Sequence, residues 1–164
     1  MEELNVFTDS NILNTYLYGG DAVVTLESPS GTKHTYVYSK PKDSDSFPID
    51  TRFVYCLHGT KRFYLGMIDQ DRFRLTRNSR FTEDTDIVKG AKYIENLRKN
   101  QVFLDSSPMK IYHNFRCARC HRLLTDEKAI KLGYGKKCYK KLLNQTLFSE
   151  YIIPGKSFVG KLII

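Results

Sequence analysis

The sequence predicts an α+β fold, a small antiparallel sheet with two helices, followed by a compact cysteine-bearing module. Three observations carry this. Short alternating segments rich in Tyr, Phe and Val recur between turn signals over the first 77 residues. Two segments show helical spacing of apolar residues. Three of the four cysteines and most of the positive charge then fall together near the C-terminus.

The first helix is expected after Thr8 or Asp9, either of which can cap it; Ile12, Leu13, Tyr16 and Leu17 share one face and Gly19-Gly20 ends it. Ala22 to Glu27 reads as a strand that turns at Ser28-Pro29-Ser30-Gly31 and returns through Thr35 to Ser39. The stretch from Ser39 to Asp50, with Pro41 and Pro48, reads as a loop. Arg52 to His58 and Arg62 to Ile68 form a second hairpin across Gly59-Thr60-Lys61, and Phe73 to Arg77 is a short fifth strand. Residues 84–99 predict a helix: Ile87, Val88, Ala91, Ile94 and Leu97 lie inward, while Lys92, Glu95 and Arg98 are expected to face out. Asp105-Ser106-Ser107-Pro108 reads as a junction. The expected division is therefore an α+β domain over 1–108, a module over 109–143, and a tail over 144–164. That tail ends in Val159, Leu162, Ile163 and Ile164, too apolar for solvent, and is expected to pack on the body or a partner.

No apolar run reaches the ~20 residues a membrane helix needs, and no membrane association is expected. Met1-Glu2-Glu3-Leu4-Asn5 lacks the layout of a signal peptide, so a cytoplasmic location is expected, where thiols stay reduced and serve metals before disulfides. The net charge of +8 is not spread evenly. Residues 109–142 hold 10 Lys/Arg against 2 Asp/Glu, whereas residues 1–108 hold 14 against 15. A local surplus of this kind attracts an anionic partner.

The module reads His113-x-x-x-Cys117-x-x-Cys120-His121, then Gly133-x-Gly135-x-x-Cys138. Cys-x-x-Cys lets two thiolates grip one ion from a tight turn, and Gly133 and Gly135 allow a sharp turn before Cys138, expected in the first turn of a helix. This predicts one structural zinc held by Cys117, Cys120 and Cys138. His113 is the preferred fourth ligand, with His121 or Cys56 as alternatives. A redox pair would need a βαβ context that is absent, and haem attachment would leave Cys138 unexplained. Asp126 and Glu127 follow the knuckle but make no catalytic pair. Cys56 and His58 lie two apart on one strand; a nucleophile–base pair is weighed there against ordinary burial, which is favoured. Tyr36, Tyr38, Tyr55, Phe63, Tyr64 and Phe73 are weighed as a base-stacking platform against a role in the core, again favoured.

These motifs resemble the zinc-finger segment of a phage-borne protein family of unknown function. The resemblance rests on His113, Cys117, Cys120, Arg122, Leu124-Thr125, Gly133, Gly135 and Cys138; it departs at His121, where Gly is usual, and at Lys136, where Pro is common. Upstream, a Tyr-rich hairpin and Tyr64-Leu65-Gly66 are similar in layout. The resemblance implies a bacteriophage or prophage origin, hence the cytoplasm of a host cell, and implies no activity. The expected function is a non-enzymatic zinc protein, its finger treble-clef-like, that binds nucleic acid through Arg116, Arg119, Arg122, Lys136, Lys137, Lys140 and Lys141. The alternative is an inhibitor of host defence, such as one blocking a CRISPR effector by binding a nucleic-acid-binding host complex; acidic stretches at Asp43–Asp50 and Glu83–Asp86 suit a basic groove.

Overall fold

A computed structural model describes residues 3–100, 104 and 108–148. The element order is α1 (Ser10–Leu17), β1 (Asp21–Glu27), β2 (Lys33–Ser39), β3 (Arg52–His58), β4 (Lys61–Asp69), β5 (Arg72–Leu75), α2 (Asp86–Lys99), β6 (Lys110–His113), α3 (Glu127–Leu132) and α4 (Lys136–Phe148). The strands form one antiparallel sheet in the order β5-β4-β3-β2-β1-β6. Alternation aims Ala22, Val24 and Leu26, Tyr36 and Tyr38, and Val54 and Cys56 at one buried face, on which α1 and α2 pack. Asp9 caps α1 by accepting from the N–H groups of Asn11 and Ile12. Thr85 caps α2, so this helix starts two residues later than expected.

One correction follows from tertiary contacts. Glu95 and Arg98 do not face out. Arg98 is fully buried: its guanidinium donates to Glu95 at 2.6 and 2.8 Å, to Asp71 Oδ1 at 2.7 Å and to Asn14 Oδ1 at 2.8 Å. Burial alone would lower its pKa, but Glu95, Tyr18 and Asp71 outweigh that and raise it. The network ties α2 to α1 and to the β4–β5 turn, which is why a charged residue occupies an inward helix position. Tyr36 and Tyr38 take the favoured core role and are closed to any base, being buried under the helices, with the Tyr36 hydroxyl donating to the Ile87 carbonyl at 2.7 Å.

The pairing of a sixth strand into the sheet was not expected. β6 pairs along β1 with Val24 opposite His113 and Leu26 opposite Ile111. The division at 108/109 thus separates one sheet strand from the other five. One hydrophobic core also runs across it, joining Leu13, Tyr16 and Val24 to Cys117, Ala118, Leu124, Ile130 and Tyr134. Residues 105–107 of the expected junction, and residues 149–164 of the expected tail, lie outside the described residues. Among the described residues no helix is long and apolar enough to cross a membrane.

Candidate metal centre and basic surface

β6 leads directly into a small hairpin. Arg116 bridges Leu123, the Cys117 N–H donates to the Arg122 carbonyl at 2.9 Å, and the His121 N–H donates to the Cys117 carbonyl at 3.0 Å. These bonds close the Cys-x-x-Cys turn on itself. His121 takes the left-handed conformation, φ +65°, that the turn requires. Glycine would hold this conformation most cheaply; histidine adopts it more readily than most side chains, at some cost.

The chain then crosses α3, capped by Asp126, which accepts from the Ala129 N–H at 3.1 Å. This carboxylate serves the helix. Gly133 ends α3 at φ +78°, and α4 begins three residues later with Cys138 in its first turn. The sulfurs of Cys117, Cys120 and Cys138 all lie within 4.8 Å of one another. Thiolates on one tetrahedral ion at ~2.3 Å stand about 3.8 Å apart, so the group fits a metal with little movement. All three are free thiols.

The electrostatics favour a cation. Burial pushes the Cys117 thiol up, but the N–H groups of Cys120, Gly135 and Arg119 outweigh it and hold its pKa below the ordinary value. Burial and the neighbouring sulfurs of Cys120 and Cys117 push Cys138 up to about 11. Without a cation the cluster resists full ionisation, and a divalent ion removes that obstacle.

His113 does not join the cysteines. Strand alternation turns it inward with Ile111, and it is 2% exposed. Its ring stacks on Tyr16 at 5.3 Å and meets Phe7 edge-on at 5.5 Å. Nε2 lies 2.7 Å from the Ile130 carbonyl, and Nδ1 accepts from the Phe115 N–H at 3.0 Å. A carbonyl only accepts and an amide N–H only donates, so the imidazole is neutral with its proton on Nε2. Neither nitrogen keeps a lone pair for a metal. The expected fourth ligand is therefore a core residue; the alternation of Lys110, Ile111, Tyr112 and His113 points that way but is too short to stand without the pairing to β1. His121 Nδ1 lies 3.4 Å from Asp21 Oδ2 without a hydrogen bond, and neither residue is grouped with the sulfurs. Cys56 lies on β3, three strands from β6. Its thiol is buried, and burial raises its pKa, the opposite of an activated nucleophile; His58 instead meets the Phe63 ring.

The knuckle is welded to the body. The Tyr16 hydroxyl donates to the Arg116 carbonyl at 3.1 Å, the Tyr134 hydroxyl to the Thr15 carbonyl at 2.5 Å, and the Asp21 N–H to the Ala118 carbonyl at 2.8 Å. Arg116, Arg119, Arg122, Lys136, Lys137, Lys140 and Lys141 are all exposed. Among the described residues none of the seven pairs with a carboxylate, whereas Lys110 pairs with Glu3 and Lys131 with Glu127. Beside this surface, a groove of about 840 Å³ runs between α3 and α4, lined by Leu123, Leu132, Tyr139 and Leu143 among others.

Comparison with curated proteins and with solved structures gives no match. In sequence the chain is similar to DUF6011, a family of unknown function, over residues 110–143, a stretch that starts at β6 and contains all three clustered cysteines.

Proposed function

We propose that this chain is a non-enzymatic zinc protein that binds nucleic acid through its basic C-terminal module. Zinc is the ion a reduced three-thiolate set of this kind suits, and its role is structural: it neutralises the thiolates and fixes the knuckle against α4 in a treble-clef-like arrangement. One observation carries the nucleic-acid reading. Seven exposed cations sit on two elements joined by the cysteines, and among the described residues none is matched by a carboxylate. Charges held so, and left unpaired, suit a ligand that presents phosphates in a row.

The test is the double substitution Lys136→Glu with Lys137→Glu. Both side chains are exposed at the start of α4, ahead of Cys138. Binding to mixed DNA and RNA should weaken, the slope of log affinity against log salt should flatten by about two, and zinc content should stay unchanged. Unchanged binding, or no binding by the parent protein at low salt, removes the reading. A second reading, direct inhibition of a host protein complex, is favoured by the apolar groove between α3 and α4 and by Leu123 at its edge, which is 59% exposed. Capture from host lysate that survives nuclease, at fixed stoichiometry, would select it.

A further inference from the structure

We propose that Phe115 is a stacking platform for an unpaired base, so that the ligand of the basic module is single-stranded nucleic acid; this rests on the nucleic-acid reading above. Phe115 sits between β6 and Cys117 with φ +63°. A bulky side chain in the left-handed region is strained, and glycine or asparagine would hold the same turn more cheaply. The backbone is fixed there from both sides. The Phe115 N–H donates to His113 Nδ1 at 3.0 Å, and its carbonyl accepts from the Leu124 N–H at 2.7 Å. The ring does not repay this cost through burial. It meets His113 edge-on at 5.9 Å and remains 40% exposed.

The surroundings say what such a ring meets. Among the described residues four large hydrophobic side chains are exposed: Phe47, Ile49, Phe115 and Leu123. Phe47 and Ile49 lie in a loop where Asp43, Asp45 and Asp50 outnumber Lys40 and Lys42, so it offers phosphate no cationic surplus. Phe115 instead precedes Arg116, and Leu123, opposite Arg116 in the hairpin, follows Arg122. An exposed aromatic ring beside arginines that make no ion pair among the described residues complements a strand that offers base faces and phosphates together. A duplex hides its base faces in the stack, so only its phosphates would be met.

Zinc-loaded full-length protein would be titrated into labelled oligo(dT), oligo(U) and a duplex of equal length, at low salt. The parent should prefer a single strand, and comparing the first two distinguishes DNA from RNA. Phe115→Ala should weaken single-strand binding about tenfold, leaving duplex binding and zinc content unchanged, while Phe115→Trp retains it. Phe115→Gly should bind as weakly as Phe115→Ala yet unfold no earlier than the parent, which a packing residue would not do. Unsubstituted protein should also photo-crosslink an iodouracil-bearing strand at Phe115, a readout independent of folding. Single-strand binding unaltered in Phe115→Ala, or crosslinks confined to the α4 lysines, overturns this inference and leaves the nucleic-acid reading standing. Binding of neither single strand nor duplex by the parent overturns both.

Discussion

The His113 imidazole links β6 to α3 and to the turn at Phe115 by two hydrogen bonds in an aromatic enclosure. His113→Ala should leave zinc stoichiometry unchanged while lowering stability by about 2–4 kcal/mol, from a cavity and two stranded polar groups. Elemental analysis beside thermal unfolding decides the point, and loss of zinc from a folded variant would restore His113 as a ligand. Burial, opposed by the Ile130 hydrogen bond, lowers its pKa from the ordinary 6.5. The unfolded chain therefore binds the proton more readily. The neutral ring's contribution is complete above about pH 6.5 and is lost as pH falls through the lower folded value. NMR of the ring protons should place its midpoint below 6.5, and His113→Gln should flatten the acid side of the stability profile. At His121 the left-handed backbone argues for glycine. His121→Gly should keep zinc bound and raise stability by about 0.5–1 kcal/mol. A variant that folds but releases zinc would identify His121 as the fourth ligand.

Among the elements, α3 and α4 depend on the turn between them. Gly133 is left-handed, and a Cβ there would overlap the Tyr16 ring. Gly133→Ala should therefore cost about 2–3 kcal/mol and loosen Cys138 from its partners. Gly135 has open space around its Cβ position, and its N–H rather than its missing side chain serves Cys117. Gly135→Ala should be tolerated within about 1 kcal/mol. Metal affinity measured by chelator competition should fall for the first variant alone; equal effects would show that the turn does not control the centre.

For the molecule as a whole, the knuckle is part of the core that the sheet and α1 enclose. β6 completes the sheet edge, and the Tyr16 and Tyr134 hydroxyls bind the knuckle and α1 to each other. Removing the proposed zinc should thus destabilise the sheet along with the knuckle, in a single transition, because a structural metal contributes folding energy directly. Amide signals of β1 and of residues 116–123 should lose dispersion together as chelator is added. Survival of a native-like β1 after the knuckle has melted would instead establish two independent folding units.

The sequence alone determined the five hairpin strands, both amphipathic helices, a cap at Thr8 or Asp9, the cysteine triad and the concentration of charge around it. Each is encoded locally, by alternation, helical spacing, capping chemistry or ligand spacing, and each is legible within a window of some twenty residues. Tertiary structure decided what depends on distant neighbours. Four residues, Lys110 to His113, are too few to announce a strand until β1 offers its free edge. That pairing then fixes which way His113 faces and removes it from the metal. Arg98 reads as a surface cation until Asp71 and Asn14, far away in the chain, are brought to its guanidinium. A carboxylate or a sheet edge supplied from afar changes the energy of burying a polar side chain, and local spacing carries no record of that partner.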